Sequence, residues 1–248
     1  MLNFTGFRIL RNLFVALFVL AMPPTLSPAS QIFDASADFD STSNPSGVNG
    51  GTYSYGYTPT LGGAFSLLPG TFINGPVEGY NAGPAGSSPA LSKNTSNAPH
   101  DLFPGSVIHY EPQQLVLHPG GGGEYAVLRF TAPQAGNYSY DAAFSNADSL
   151  GATTDVHVLI GGVAAASDGI NVGGGGSTAT LSSPSVFLPA GQTLDFAVGV
   201  GNGSFVFDST GLFASVALVP EPSTIVLLAA GIAVLAAGTV RRRLPAVR

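Results

Sequence analysis

Four aspartates stand where a strand-rich chain would present a carboxylate: Asp141, Asp155, Asp195 and Asp208. Paired carboxylates about 5–9 Å apart do the acid and base work of glycoside hydrolysis. Between packed strands any two of these four meet that spacing, so the pattern selects no catalytic pair. No Ser lies in a Gly-x-Ser-x-Gly elbow, and the chain has no Cys, which removes thiol catalysis and thiolate metal sites. His100, His109, His118 and His157 are scattered without i,i+4 spacing, so no zinc motif forms. The Gly runs 120–123 and 173–176 are followed by no Lys, so neither reads as a phosphate cradle. The expectation is a protein that is not an enzyme. Calcium is the one metal this chemistry suits, because it takes carboxylate and backbone oxygens from loops. Its candidate ligands are Asp141, Asp155 and Asp208, and no other cofactor is called for.

Tyr53, Tyr55 and Tyr57 offer a second kind of chemistry. If exposed, such rings stack on sugars, with Asn and Asp as polar partners. The same alternation fits one wall of a core or a cross-strand aromatic ladder. The spacing leaves both readings open.

The elements that must position these residues are strands. Two-residue alternation recurs at Ala126, Leu128 and Phe130, at Tyr138, Tyr140, Ala142 and Phe144, and at Val156, Val158 and Ile160. It returns at Leu194, Phe196, Val198 and Val200, and at Leu212, Ala214, Val216 and Leu218. Turn residues separate these runs, as in Pro133-Gln134-Ala135-Gly136 and Pro189-Ala190-Gly191. Gly63 to Leu68 reads as the partner of the Tyr53–Tyr57 strand. Residues 74–105, rich in Gly, Pro, Ser and Asn, read as an outward loop. The class is all-β, with residues 30–219 as a single antiparallel β-sandwich.

The chain carries 33 Gly and 19 Pro in 248 residues and only 9% charged residues, which excludes coiled coils and charge-rich disorder. Its net charge of −6 hides an uneven distribution. Residues 30–219 hold Lys93 and Arg129 against 13 acids, net −11, which disfavours a nucleic-acid partner. Both ends are basic and apolar. Residues 1–29 read as a signal peptide, with Arg8 and Arg11, an apolar run from Leu13 to Met22, and Ser27-Pro28-Ala29 as a cleavage site. Residues 224–240 read as a transmembrane helix. Its charge-free core from Ile225 to Val240 gives about 24 Å at ~1.5 Å per residue, a short span. Arg241, Arg242 and Arg243 follow as a stop-transfer cluster at the head of the basic tail 241–248.

Immediately before that helix stands Pro220-Glu221-Pro222. Pro-Glu-Pro, an apolar helix and an Arg cluster at the C-terminus, with a signal peptide at the other end, resemble the PEP-CTERM sorting signal. The resemblance covers residues 219–243 and implies a set of partners and a fate. Exosortase, a membrane-embedded cysteine transpeptidase, would recognise Pro220, Glu221 and Pro222 and cleave nearby. The ectodomain would pass through the inner membrane, be held there transiently, and end at the cell surface or outside. The family is typical of bacteria that make exopolysaccharide or biofilm. The two prolines also give a stiff, extended segment with two amide donors removed, a shape an enzyme can read at small ordering cost.

A looser resemblance lies in the middle. Asp38-Phe39, Asn44-Pro45-Ser46-Gly47, Tyr53 to Tyr57, Leu117-His118-Pro119-Gly120, Arg129-Phe130-Thr131-Ala132-Pro133 and Thr154-Asp155-Val156-His157-Val158 are similar to uncharacterised ectodomains that accompany PEP-CTERM tails. Those are similar in outline to jelly-roll carbohydrate-binding modules. The expectation is therefore an exported surface or matrix protein, structural or adhesive in exopolysaccharide or biofilm. The alternatives are a jelly-roll carbohydrate-binding module and, third, a polysaccharide hydrolase.

Overall fold

Alternating side chains give each strand one buried and one free side, and two such strand sets close on one another. The computed structural model describes residues 30–84, 86–171, 178–201 and 203–220, together with residue 231. Its strands are β1 (Ile32–Asp34), β2 (Tyr53–Thr58), β3 (Ser66–Leu67), β4 (Gly70–Asn74), β5 (Val77–Asn81), β6 (Ala90–Asn94), β7 (His100–Asp101) and β8 (His109–Tyr110). They continue as β9 (Leu115–His118), β10 (Tyr125–Thr131), β11 (Gly136–Asn146), β12 (Thr153–Ile160), β13 (Val163–Asn171), β14 (Thr178–Leu188), β15 (Thr193–Gly199) and β16 (Thr210–Val219). One 3₁₀ turn, Val48–Gly50, interrupts them. Among the described residues no helix is long and apolar enough to cross a membrane.

Two antiparallel sheets form the sandwich, and β7 and β8 pair as a separate two-stranded sheet. The larger runs β14-β11-β16-β9-β6-β5-β4, with β1 added against β16, and the smaller runs β13-β12-β15-β10-β2-β3. From β9 onward the chain passes back and forth between them: β9, β11, β14 and β16 lie in the larger sheet, and β10, β12, β13 and β15 in the smaller. This crossing makes Ser30–Val219 a jelly-roll-like sandwich and one compact unit. The segment expected to loop outward instead supplies β5, β6 and β7. Apart from Gly79 within β5, its Gly and Pro residues lie between the strands, while Val77, Tyr80 and Leu91 are buried.

Aromatic rings fill the space between the sheets. Phe130 on β10 packs against Phe33, Tyr53 and Tyr138 at centroid distances of 5.1, 5.6 and 5.8 Å. Tyr55 stacks on Tyr80 at 5.1 Å. Tilted and offset pairs of this kind add about 0.5–1.5 kcal/mol each beyond area burial. The buried hydroxyls find partners in backbone carbonyls: Tyr53 donates to Phe33 O at 3.0 Å and Tyr80 to Asp40 O at 2.8 Å.

The first strand of the sandwich begins beside the end of the last. Leu218 N donates to Gln31 O at 2.8 Å, and Ser30 Oγ to Leu218 O at 3.1 Å. At the other end of β16 lie residues 119–124, 147–152 and 203–209.

Candidate functional site

The open face of the larger sheet is built by residues that the core leaves out of phase. Leu212, Ala214 and Val216 of β16 are in the core, so Phe213 and Ser215 point outward. Register sets Ala143 between Phe213 on one side and Thr180 on the other, one row of the face. The next row is Ser182, Asp141, Ser215 and Asp34. Small neighbours leave the Phe213 ring 43% exposed. A groove of about 540 Å³ runs over these rows.

One wall of the groove is the turn after β1. Asp34 Oδ1 accepts from Ser36 N and Ala37 N, both at 2.9 Å. Ser36 Oγ donates to Gln113 O, and the Lys93 ammonium donates to Ser36 O at 2.7 Å. Burial pushes the Lys93 pKa down, and nearby Asp34 and Glu78 oppose that shift. A lysine stem and a capped turn thus fix a wall of the groove before any ligand arrives. The arrangement offers an aromatic face, a floor of small residues and two carboxylates, which is the chemistry of a hydroxyl-rich, ring-bearing ligand.

Tyr53 and Tyr55 cannot supply such a face, because both are 0% exposed. They are a wall of the core, and Tyr57, half-buried, packs on the same cluster. All three follow one phase of β2, the phase that faces the larger sheet, so the sugar-contact expectation for them is corrected. Burial pushes the Tyr55 phenol above its ordinary range and, with Asp40 nearby, lifts that of Tyr80 to about 12. Phe213, which is exposed, carried a signal in the sequence: an aromatic on the polar phase of an alternating strand.

The proposed calcium ligands are also separated. Asp141 stands on the outer face of the larger sheet, and Asp155 on the outer face of the smaller one. Asp208 is buried at the start of β16. The sandwich lies between Asp141 and Asp155, so these three cannot share one ion. Among the described residues no three His, Cys, Asp or Glu side chains gather as a metal site. Pro220 is the last described residue of the sandwich segment, and Glu221, Pro222, Arg241, Arg242 and Arg243 lie outside the described residues, as do the signal peptide and, apart from Gly231, the apolar helix.

Asp155 belongs to a polar network instead. Its Oδ2 lies 2.7 Å from His157 Nε2 and accepts from Tyr125 OH at 2.8 Å, while its Oδ1 accepts from Gly201 N at 2.8 Å. Burial alone would raise this carboxyl. The bonds from His157, Tyr125 and Gly201 together outweigh burial and hold it at about 2. Farther along the same face, Arg129 Nε and Nη2 donate to the two Asp195 oxygens at 2.7 and 2.8 Å. Phe65 covers the guanidinium at 3.9 Å. These acids are consumed in holding the sheet, and neither presents a free carboxylate pair to a substrate.

Residues 218–243 match the PEP-CTERM protein-sorting motif. No curated protein matches the chain. Solved structures resemble it distantly. The CBM51-2 and INT domains of Clostridium perfringens ZmpB, in complex with GlcNAc, share 12% identity over 52% of this chain with a TM-score of 0.34; this chain covers only 28% of that one. The CBM51 of Clostridium perfringens GH95, in complex with methyl-galactose, shares 14% identity over 51% of this chain and 86% of that one, with a TM-score of 0.33. A family 35 carbohydrate binding module of Clostridium thermocellum shares 13% identity over 59% of this chain and 95% of that one, with a TM-score of 0.28. The sandwich assignment rests on the strand pairing described above.

Proposed function

We propose that this is an exported, non-catalytic adhesion protein of the bacterial surface or extracellular matrix, and that the Phe213 groove binds polysaccharide. The observation that carries the binding reading is the groove itself: an exposed Phe213 ring above Ala143 and Thr180, with Asp141 and Asp34 at hand. A ring of this kind stacks on the apolar face of a pyranose, and carboxylates accept from its hydroxyls. The groove is open and shallow, which suits a chain passing through better than a small molecule to be enclosed. The export reading is supported by the sorting motif over residues 218–243. In this reading a signal peptide at 1–29 starts export, exosortase acts at Pro220-Glu221-Pro222, and residues 30–219 remain as the working part.

Two experiments test the two halves separately. Purified exported protein on a glycan array is expected to retain polysaccharides at micromolar concentration, with binding lost in Phe213→Ala and unchanged in Tyr57→Phe. Retention by Phe213→Ala equal to that of the unaltered protein would remove the groove from the reading. In a host with exosortase, changing Pro220, Glu221 and Pro222 to Ala is expected to trap the protein in the membrane at higher mass. An unchanged mature mass and release would end the sorting half.

A further inference from the structure

The end of the sandwich at Val219 gathers parts of the chain that are far apart in sequence. Gly136 of β11 pairs with Leu188 of β14, Asn137 with Val219, and Ile32 of β1 with Ala217. In the smaller sheet Thr131 pairs with Thr193, and the β12–β13 hairpin closes beside them, Gly161 N donating to Thr193 O at 2.9 Å. Gly191 N donates to Ala132 O at 2.8 Å and ties together the two connections that pass here from sheet to sheet. Residues 30–32, 131–139, 159–164, 186–193 and 217–220 thus meet at this end, and none of them is Asp, Glu, Lys, Arg or His. The first charges inward are Asp34 and Asp141 on the larger sheet and the Arg129–Asp195 pair on the smaller.

Three large apolar side chains stand out from this neutral end: Val163 is 71% exposed, Ile32 63% and Phe187 60%. Among the described residues only Ile73 exceeds them in its class. They do not form one patch. Phe187 on β14 and Ile32 on β1 are separated by β11 and β16, about 14 Å at ~4.8 Å per strand, and Val163 belongs to the other sheet, about 10 Å away. Three separated points suit a flat, fluid partner and not a ligand that fills a groove. The far end of β16 differs, because it exposes Phe205 and Phe207 together with the acids Glu124, Asp148 and Asp208. Apolar side chains enter a lipid headgroup layer favourably, whereas a carboxylate resists desolvation there. The chain beyond the sandwich points to the same partner. Val219, in the row of Phe187, is followed by five residues, 220–224, and then by the charge-free run Ile225–Val240. Five residues add at most about 18 Å.

We propose that this end of the sandwich rests on the lipid bilayer while the protein still carries its tail, with Phe187, Ile32 and Val163 set among the headgroups. The inference rests on the sorting reading above, since the tail is what brings this end to the membrane. Three side chains bind a bilayer only weakly by themselves, and the tether makes their contact intramolecular. Removal of the tail would therefore release the sandwich as well as cut it. The Phe213 groove stays open, because its carboxylates begin one row beyond Ile32.

The chain has no Trp, so a single introduced Trp reports its own surroundings. The exported protein, purified with its tail from a host without exosortase, is reconstituted in phosphatidylcholine vesicles with or without bromine on the acyl chains near the headgroup. Phe187→Trp and Val163→Trp are each expected to lose about half of their emission to the brominated lipid, and Phe205→Trp, at the far end, to keep its emission. The two reporters lie on different sheets, so a strand disturbed by one substitution leaves the other readable. Vesicle flotation reads the tether by itself. Protein that floats with the vesicles while both reporters are quenched no more than Phe205→Trp would overturn the contact and leave the sorting reading standing. Protein that does not float would overturn both. Emission that shifts with protein density in the vesicle and ignores bromine would assign this end to a second copy and overturn the lipid contact.

Discussion

The two sheets of the sandwich treat their outer faces in opposite ways. On the smaller sheet the outward side chains are spent on one another. Val127, Leu159 and Ala197 form a satellite apolar cluster with Phe65 and Tyr125 packed on it. Arg129 and Asp195 form a two-pronged ion pair, and Asp155 collects three bonds. The segment 59–65 folds over this face so closely that a Cβ on Gly62 would lie 2.2 Å from Gly162 O. On the larger sheet, β14, β11 and β16 present mostly small residues and two bare rings, Phe213 and Phe187. A face whose polar groups satisfy each other contributes to holding the fold, whereas a face whose carboxylates and ring point outward is free to meet something else. On the proposed reading, the smaller sheet's face serves stability and the larger sheet's face recognition.

Substitutions on each face sharpen or break that division. The largest effect is expected from Arg129→Ala, which leaves Asp195 buried, 3% exposed at its side chain, and without its partner. Loss of one member of such a pair costs about 3–5 kcal/mol. Chemical denaturation measures it, and glycan retention by the still-folded fraction should be unaltered. Asp155→Asn comes next. The Asp155 carboxyl sits at about 2 in the fold against 3.8 as its ordinary value. Because the folded value is the lower one, the contribution is complete above about pH 4 and is lost as pH falls toward 2. That depression corresponds to about 2 kcal/mol at neutral pH, readable as a stability difference that vanishes in acid. Phe213→Ala should do the reverse: a change in stability within about 0.5 kcal/mol, and a loss of glycan affinity of at least about tenfold. The smallest effect is expected from Asp141→Asn, about two- to fivefold weaker binding in isothermal titration, since an exposed carboxylate contributes about 0.5–1 kcal/mol. A stability loss in Phe213→Ala as large as that in Arg129→Ala would dissolve the division of labour.

Much of this fold is legible in the residues, and the remainder is hidden for physical reasons. The alternations at 126–130, 138–144, 156–160, 194–200 and 212–218 coincide with β10, β11, β12, β15 and β16, because each is apolar on one phase only. The strands β13 and β14 escape notice, since Ala, Ser and Thr fill both phases of outer strands that bury little. β5 and β6 are masked by the Gly and Pro of their turns. Alternation also cannot say which phase is inside. Tyr53, Tyr55 and Tyr57 read equally as a platform or a wall, and only the position of β2 between β3 and β10 decides it. The sorting tail is the opposite case, a linear signal that needs no fold to be read.

One feature of β16 bears on how such a protein would hold a load. The strand runs unbroken from Phe213 in the groove to Val219, where the chain leaves for its tail. Between those points it is bonded along one edge to β11 and along the other to β1. A pull applied at Val219 against a ligand gripped at Phe213 would draw the strand along its own axis. The hydrogen bonds on both edges would then resist together in shear rather than opening one after another like a zip. Single-molecule pulling between the groove and the C-terminal end should therefore show a high rupture force, and a much lower one when the handle is moved to the β12–β13 hairpin.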